Sequence, residues 1–366
     1  MPARADKILL IIILLLVVGG FFIFSSASLG LLARDGARFT SVAFSQITFG
    51  LIGGGIAMFV MSQIHYRTWR KYAFHIFVAC VLLTLLVFIP GIGSEYGGAK
   101  RWINLGGFSL QPAELLKIGF IIYLATWLSG MQKHIRDTLR GTLPFYGIIG
   151  LVGVIMLLQP DTDTFFIMAT AGMAMFITAG GKWRDVALAL VAGLLIIAIL
   201  ATVRPYVRDR ITTFFNPSVD EQGSSWQVNQ SLIAIGSGGF SGRGFGQSIQ
   251  KFEYLPEPIG DSIFAVFAEE FGFLGTFFLI MLLAGFTFRG LRIASHAKDQ
   301  FGMLLAVGIM TLITVQAFLN IAAMLAVAPL GGLPLPFISH GGTALLATLA
   351  AVGIVLNISK HQHKHR

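Results

Sequence analysis

Long apolar runs separated by short polar segments recur along the whole chain of 366 residues. A helix needs about 20 consecutive apolar residues to cross a hydrocarbon core of about 30 Å. The pattern therefore predicts ten membrane-spanning helices and an all-α polytopic membrane protein, with residues 1–366 in a single membrane domain. The predicted spans are 8–27, 42–62, 72–90, 111–129, 142–158, 164–180, 184–202, 262–287, 301–327 and 338–358.

The amino-acid composition supports a membrane protein. Hydrophobic residues make up 55% of the chain and charged residues only 12%, which is about half the charged fraction of an average soluble domain. The chain has one cysteine, Cys80, so an intramolecular disulfide is excluded. The first apolar run has the basic flank of a signal peptide but no clean small-residue cleavage site, which favours an uncleaved first span.

The distribution of basic residues predicts the orientation of the spans. Ten spans place both termini on one side, and the segments on that side hold sixteen of the 26 Lys and Arg residues. Because cytoplasmic loops carry an excess of Lys and Arg, both termini are expected in the cytoplasm. Membrane topology then explains much of the net charge of +9, so no nucleic-acid partner is expected. The sixteen residues are Arg4, Lys7, Arg67, Arg70, Lys71, Lys133, Arg136, Arg140, Lys182, Arg184, Arg289, Arg292, Lys298, Lys360, Lys364 and Arg366, against Arg34, Arg38, Lys100 and Arg101 in the opposite short loops.

Two segments on the predicted outer side are longer than a connection requires, which is typical of functional loops. The first is 91–110. The second, 203–261, is predicted to be a large extracytoplasmic loop between the seventh and eighth spans. It contains the stretch GSGGFSGRGFG (236–246), which has six glycines.

Charged residues within predicted spans are costly, so each is a candidate functional residue. Glu114 and Lys117 are three residues apart on one predicted helix and can pair on the same face. Two interpretations of the pair remain open: a bundle-stabilising ion pair, and a pair that shapes a polar cavity open to the outer side. Glu269 and Glu270 are adjacent and diverge on a helix, so both cannot face one partner, and at least one is expected to be structural.

Asp261 lies at the outer rim of the eighth predicted span, after two prolines that stiffen its approach. A half-desolvated carboxylate has a raised pKa, which suits a general base. Aspartate is also a good helix N-cap. The two roles compete because they use the same oxygen atoms.

The glycine-rich stretch is of a type that can bind phosphate through backbone N–H groups. It lacks the GK[ST] ending of a nucleotide P-loop, and no nucleotide is expected on the predicted outer side. Arg243 within the stretch and Lys251 after it are candidates to hold a lipid-linked diphosphate. The alternative is a flexible loop.

A possible metal site is the turn QPDTDT (159–164), in which Asp161 and Asp163 are two residues apart. Paired carboxylates of this kind bind divalent cations such as Mg²⁺ or Mn²⁺. The alternative is a polar turn that caps a helix. The eight histidines form no H-E-x-x-H motif.

Four stretches together resemble the SEDS family, the FtsW, RodA and SpoVE proteins. They are GAKRWINLGGFSLQPAELLK (98–117), QPDTDT (159–164), WQVNQSLIAIGSGGFSGRGFGQSIQKFEYLPEPIGDSIFAVFAEEFGFLG (226–275) and PLGGLPLPFISHGGTALL (329–346). The stretches DRITTFFNP (209–217) and GQSIQKFEYLPE (246–257) are most similar to the FtsW branch.

The resemblance implies a ten-helix SEDS fold in the bacterial plasma membrane. It implies an inverting glycosyltransferase that polymerises lipid II, a disaccharide-pentapeptide on undecaprenyl diphosphate, into β-1,4 glycan strands for septal wall synthesis. It also implies a class B penicillin-binding protein as partner, together with other membrane proteins of the division complex.

The resemblance further implies that Asp261 is the catalytic base. Cationic side chains would stabilise the departing diphosphate, and a divalent cation could share that task. The chain departs from the family pattern at Ile259, Gly260 and His340, where His-Thr and Tyr are usual; His340 is expected to replace a tyrosine hydroxyl as a donor or to titrate near the outer rim. The candidate substrate-binding residues are Arg243, Lys251, Lys100, Arg101, Arg210, Glu257 and His340.

Two other functions are compatible with a polytopic protein of this kind. A lipid II flippase would use intramembrane polar residues such as Glu114 and Lys117 as a path, but the sequence has no obvious inverted repeat of broken helices. A non-enzymatic division scaffold would make Asp261 dispensable.

Overall fold

The computed structural model describes residues 5–96, 99–104, 109–216 and 224–362. Arg4, Lys364 and Arg366, which contributed to the orientation argument, lie outside these ranges. Within the described ranges, nine helices are long and apolar enough to cross a membrane, and a tenth apolar helix has 17 residues. These ten helices lie at the ten predicted spans, so the predicted architecture is confirmed.

The helices are named here in chain order. They are α1 (Lys7–Arg34), α2 (Gly36–Gln63), α3 (Arg67–Phe88), α4 (Pro112–Gly130), α5 (Thr138–Leu158), α6 (Thr162–Thr178), α7 (Trp183–Val203), α8 (Pro205–Phe215), α9 (Ser224–Ser237), α10 (Gln250–Glu253), α11 (Ile263–Ser295), α12 (Gln300–Met324) and α13 (Gly342–Lys360).

The two long connections contain regular secondary structure that the sequence analysis did not predict. The segment 91–110 contains three short antiparallel strands in the order β1 (Gly93–Tyr96), β2 (Ala99–Asn104) and β3 (Ser109–Leu110). The predicted large loop, 203–261, contains α8, α9 and α10 among its described residues. These elements satisfy backbone groups that an irregular loop would leave to water.

Aspartates begin several helices by accepting a backbone hydrogen bond, as expected for an N-cap. Asp6 accepts from Leu9 N at the start of α1, and Asp299 accepts from Gly302 N at the start of α12. The same two side chains join helices at one end of the bundle, where Asp6 pairs with Arg289 at 2.6 Å and Asp299 accepts from Tyr66 at 2.8 Å. The loops predicted to be extracytoplasmic meet at the other end.

Burial differs strongly among the helices. Most of α13 and much of α4 and α12 are buried, whereas α7 is almost wholly exposed. The centre of the bundle is therefore built around α4, α12 and α13. The first part of α11, from Ile263 to Glu270, is buried on all sides.

Helix α11 is broken at Gly272. This residue has φ 63° and ψ −162°, a region of backbone space that is essentially restricted to glycine. The break removes helical hydrogen bonds from the residues on both sides. The glycine-rich stretch of residues 238–244 replaces them.

Backbone hydrogen bonds run in both directions between the glycine-rich stretch and α11. Arg243 N donates to Glu269 O at 3.0 Å and Gly244 N to Glu270 O at 2.9 Å, while Phe273 N donates to Gly239 O at 2.9 Å. The close approach requires glycine, because a Cβ added to Gly242 would lie 2.1 Å from Glu270 O. The stretch is thus a packed partner of α11, which contradicts the flexible-loop alternative, and two of the N–H groups considered for phosphate binding are already used.

We predict that Gly272→Ala destabilises the protein by at least about 2 kcal/mol, because alanine is strained in this backbone region and its Cβ would lie 2.3 Å from Gly242 N. The thermal midpoint of purified protein in detergent measures the effect. Gly285→Ala is the matched control in the same helix, since its Cβ would approach no heavy atom closer than 3.9 Å. Equal midpoints for the two variants would contradict the strain at Gly272.

Candidate active site

Asp261 lies in a tight turn just before α11. Ser262, and not Asp261, is the N-cap of this helix, and no side chain caps it. The turn is closed by Glu257 O, which accepts from Gly260 N at 3.0 Å and from Ser262 N at 3.3 Å. Glu257 itself has a left-handed φ of 44° between two prolines. The Asp261 carboxylate is therefore not used for capping, which removes the competing role considered from the sequence.

The carboxylate is held by an amide from α9. Gln227 Nε2 donates to Asp261 Oδ1 at 3.0 Å and to Ser262 Oγ at 2.9 Å. Burial and, to a smaller extent, the charge of Glu257 raise the pKa of Asp261 to about 6, against the opposing effect of the Gln227 hydrogen bond. A carboxylate with this pKa is ionised at pH 7 and still accepts a proton readily, as a general base must.

Helix α12 and the segment after it hold the backbone of the turn. Asn320 Nδ2 donates to Asp261 O and to Leu333 O, both at 2.7 Å. Ser339 Oγ donates to Gly260 O at 2.6 Å, and His340 N donates to Ile259 O at 2.7 Å. Three consecutive carbonyl groups, from Ile259 to Asp261, are thereby held by α12 and the segment after it.

The Glu114–Lys117 pair supports this arrangement from α4. The two side chains form a buried ion pair at 2.8 Å. Lys117 Nζ also donates to Gln316 Oε1 at 2.9 Å, and Gln316 Nε2 donates to Pro334 O at 2.9 Å. The geometry agrees with the bundle-stabilising interpretation, and the pair also anchors the segment that forms one wall of the cleft.

Asp261 lines a small cleft at the end of the bundle where the predicted extracytoplasmic loops meet. A second cavity adjoins it, and Leu330 lines both. The cleft is lined by Asp261, Leu319, Asn320, Ala323, Met324, Pro329, Leu330, Gly331, Gly332 and Leu333. The second cavity is lined by Arg210, Thr213, Phe214, Ser225, Val228, Ala326, Ala328 and Leu330.

The two carboxylates of the predicted metal turn face arginines. Arg210 lies 2.6 Å from Asp163, and Arg101 lies 3.9 Å from Asp161, which caps α6. No group of three or more His, Cys, Asp or Glu side chains that could hold a metal ion occurs in the described part of the chain. Both carboxylates of the turn thus lie beside arginines, and we assign no step to a metal.

The turn at Asp161 and Asp163 nevertheless lies close to Asp261. A Cβ added to Gly331 would lie 2.9 Å from Asp163 Cγ, and one added to the next residue, Gly332, would lie 3.9 Å from Asp261 Oδ2. The two glycines therefore pass between the carboxylates. Of the predicted cations, this brings Arg210 nearest to the cleft, whereas Lys100 is exposed on β2.

Lys251 is a correction to the sequence analysis. Its side chain is fully buried, and its ammonium donates to Glu270 Oε1 at 2.7 Å, to Gly246 O at 2.8 Å and to Ser26 Oγ at 3.0 Å. All three N–H groups are used within the protein. The predicted contact with a substrate is therefore replaced by a structural role that joins α10, α11 and α1.

Both glutamates within α11 are structural. Glu269 accepts from Ser248 Oγ at 2.6 Å and from Ile249 N at 3.1 Å, and it lies 3.4 Å from Arg243. Glu270 binds Lys251 and also accepts from Ser248 N at 3.4 Å. The expectation that adjacent glutamates cannot face one partner is wrong, because the segment from Ser248 to Lys251 wraps around both. Arg243 is thus engaged in this cluster and not at the cleft.

Glu257 and His340 flank the turn without lining the cleft. Glu257 is exposed and acts on Asp261 through its charge. The His340 ring stacks on Phe24, and its Nε2 is buried without a partner among the described residues. Burial and the nearby charge of Arg38 lower the pKa of His340 to about 4. His340 is therefore neutral near pH 7, which contradicts the expected titrating group, whereas its role as a donor in place of a tyrosine hydroxyl stays a prediction.

Sequence reasoning missed three amide side chains of the site. Gln316 and Asn320 are four residues apart and lie on one face of α12. Polar residues at this spacing in an apolar helix are a detectable signal, since buried amides in membrane helices usually bind another segment. Gln227 gave no comparable signal, because its partner is 34 residues away.

The fold and the site define a class: a polytopic helical membrane protein with a fixed, basic carboxylate in a cleft at one end of its bundle. The profile of the FtsW/RodA/SpoVE family, described as "Cell cycle protein", matches residues 6–364. The chain belongs to this family, and it is a multi-pass membrane protein.

Individual relatives agree with the family assignment. The chain is 41% identical over 316 residues to stage V sporulation protein E of Bacillus subtilis, covering 86% of each chain. It is 38% identical over 360 residues to a probable peptidoglycan glycosyltransferase FtsW of Trichlorobacter lovleyi, covering 98% of this chain and 93% of the relative.

Solved structures have the same fold. A chain of a peptidoglycan synthase complex, described as coordinating polymerization and crosslinking, superposes with a TM-score of 0.80 at 25% identity over 99% of both chains. RodA, the rod shape determining protein of Thermus thermophilus, superposes with a TM-score of 0.69 at 25% identity, covering 99% of this chain and 98% of RodA.

We predict that Lys251→Met destabilises the protein by about 3–5 kcal/mol, because it leaves the buried Glu270 carboxylate without its counter-charge. The double variant Lys251→Met/Glu270→Gln should recover part of the loss. Thermal midpoints in detergent measure both, with Lys100→Met as the exposed control. A Lys251→Met variant with the wild-type thermal midpoint would contradict the structural role of Lys251.

We predict opposite shifts in the titration of Asp261 from two neighbouring substitutions. Glu257→Gln removes a negative charge and lowers the pKa of Asp261 below about 6, whereas Gln227→Leu removes a stabilising donor and raises it. Infrared difference spectra would follow the protonated carboxyl band, identified by its loss in Asp261→Asn. Shifts of the same sign would reject the assigned environment.

Proposed function

We propose that the protein is a peptidoglycan glycosyltransferase that polymerises lipid II into β-1,4 glycan strands during septal wall synthesis. One observation carries the proposal: Asp261 is a half-buried carboxylate with a raised pKa that is fixed in a cleft and is not used as a helix cap. The names of the FtsW relatives support the same activity.

The proposed reaction is a single displacement. As the acceptor hydroxyl attacks the anomeric carbon of the donor sugar, its proton passes to the Asp261 carboxylate. The bond between that carbon and the diphosphate oxygen breaks, and the lipid diphosphate leaves with the electron pair. One direct displacement inverts the anomeric centre, and a single base is sufficient.

Arg210 is the best-placed cation to stabilise the leaving group. It lines the cavity that adjoins the Asp261 cleft, and Asp163 holds its guanidinium at 2.6 Å. Positive charge aimed at a developing negative charge stabilises the transition state more than the ground state. Arg101 is directed to backbone carbonyls of the neighbouring turn and is expected to act on the shape of the site.

The proposed location is the bacterial plasma membrane, with both termini in the cytoplasm and the cleft at the outer face. The excess of basic residues on the terminal side supports this orientation. A class B penicillin-binding protein is the proposed partner, since one structural relative belongs to a complex that couples polymerization to crosslinking. Contacts with other division proteins and a divalent cation requirement stay predictions.

We predict that Asp261→Asn lowers the rate of lipid II polymerisation by at least about a hundredfold, since it keeps the shape of the side chain but removes the base. The measurement uses purified protein with its partner and labelled lipid II, with thermal unfolding as a check on folding. Asp209→Asn, an exposed carboxylate of α8, is the control and should retain activity.

The outcomes separate the alternatives. Near-normal polymer from Asp261→Asn would reject the base assignment. Absence of polymer from the wild type, together with lipid II translocation in liposomes, would support a flippase. Absence of both activities would support the third hypothesis, a non-enzymatic division scaffold.

A further inference from the structure

Asn320 has an amide whose orientation is fixed by its surroundings. Its nitrogen faces two backbone carbonyls, Asp261 O and Leu333 O, each at 2.7 Å. Carbonyl oxygens only accept hydrogen bonds, so the reversed amide would place oxygen against oxygen twice. The nitrogen must therefore point at the two carbonyls, and Oδ1 must point elsewhere.

The oxygen of this amide has no hydrogen-bond partner in the described part of the chain. Asn320 is 2% exposed, and its Oδ1 is buried without a hydrogen bond to any described residue. Buried polar atoms of native proteins nearly always have a partner from the protein, a water molecule or a ligand. An unpartnered acceptor beside a reactive carboxylate therefore indicates a binding function.

Gln316 lies on the same helix face, and both the nitrogen and the oxygen of its amide have hydrogen-bond partners. It lies one turn earlier on α12 and also donates to the neighbouring backbone, to Pro334 O at 2.9 Å. Its oxygen accepts from Lys117 Nζ at 2.9 Å. Both amides thus hold the same segment, and they differ in whether the oxygen is already used.

The chemistry of the oxygen limits its ligand. An amide oxygen is an acceptor, so it can bind an O–H or N–H group but not a phosphate oxygen. Asn320 and Asp261 line the same cleft, and Asn320 bonds directly to the backbone of Asp261. The residues that carry these two acceptors are therefore in direct contact and line one cleft, so a single sugar ring bound there would lie beside both residues.

We propose that Asn320 Oδ1 accepts a hydrogen bond from a hydroxyl of the acceptor sugar, adjacent to the hydroxyl that Asp261 deprotonates. The inference rests on the proposed function and deepens it by naming a specificity contact. For a β-1,4 bond the reacting group is the 4-hydroxyl, and the neighbouring donors are the 3-hydroxyl and the 6-hydroxyl. The contact selects the acceptor and orients its 4-hydroxyl toward the base.

The test compares native acceptor with 3-deoxy and 6-deoxy acceptor sugars in the partner-bound enzyme. The wild type should reject one of the two analogues by about 10- to 100-fold in kcat/KM, because a site built for a hydroxyl leaves its acceptor unpaired without it. Asn320→Ala should be slower with native acceptor and should discriminate by less than about threefold, since the acceptor oxygen is gone.

Gln316→Ala is the matched control. It disturbs the same backbone segment, so it should slow the reaction, but it should keep the wild-type discrimination between native and deoxy acceptor. If Asn320→Ala does not fold, Asn320→Leu provides the same comparison, since leucine is similar in size and has no acceptor oxygen. The wild-type measurement with the deoxy analogues requires no variant at all.

Three results would overturn the proposal: a wild type that accepts both analogues equally, an Asn320 variant that retains full discrimination, or a Gln316→Ala variant that loses it as well. The first result would indicate that water satisfies the oxygen. Absence of polymer from native lipid II would instead reject the proposed function, so the two failures are distinguishable.

Discussion

The site depends on one amide that bridges two separate segments. Asn320 joins the turn before α11 to the segment after α12 by donating to Asp261 O and Leu333 O. Removing a buried donor of this kind leaves acceptors unsatisfied, which costs about 1–3 kcal/mol for each. The position of Asp261 in the cleft therefore depends on α12 as well as on the turn that carries it.

Burial raises the pKa of Asp261 and hydrogen bonding lowers it, and burial has the larger effect. The surrounding protein penalises the ionised form, while Gln227 stabilises it. The balance leaves a carboxylate that is charged at pH 7 but more basic than one in water. The buried Glu114–Lys117 pair supports the same site from a distance. Lys117 donates to Gln316, and Gln316 donates to Pro334 O, next to the segment that lines the cleft.

The sequence predicted the spans well because crossing a bilayer imposes length and apolarity directly on each segment. Asp261 was identified through its place at the rim of a span and through family resemblance. Lys251 was misassigned, because a basic residue in a polar segment looks exposed unless its contacts with Ser26 and Glu270 are known. The contacts of Gln227 and Asn320 join residues 34 and 59 positions apart, which no local pattern encodes.

The reciprocal backbone hydrogen bonds between the glycine-rich stretch and α11, on both sides of Gly272, affect local stability. Since Phe273 and Leu274 donate to the glycine-rich stretch, and Arg243 and Gly244 donate back to α11, neither segment can open while the other stays intact. Such segments form one cooperative unit with a shared free energy of opening. Amide hydrogens on the stretch and on the helix should therefore exchange with solvent together, although the two segments are far apart in the chain.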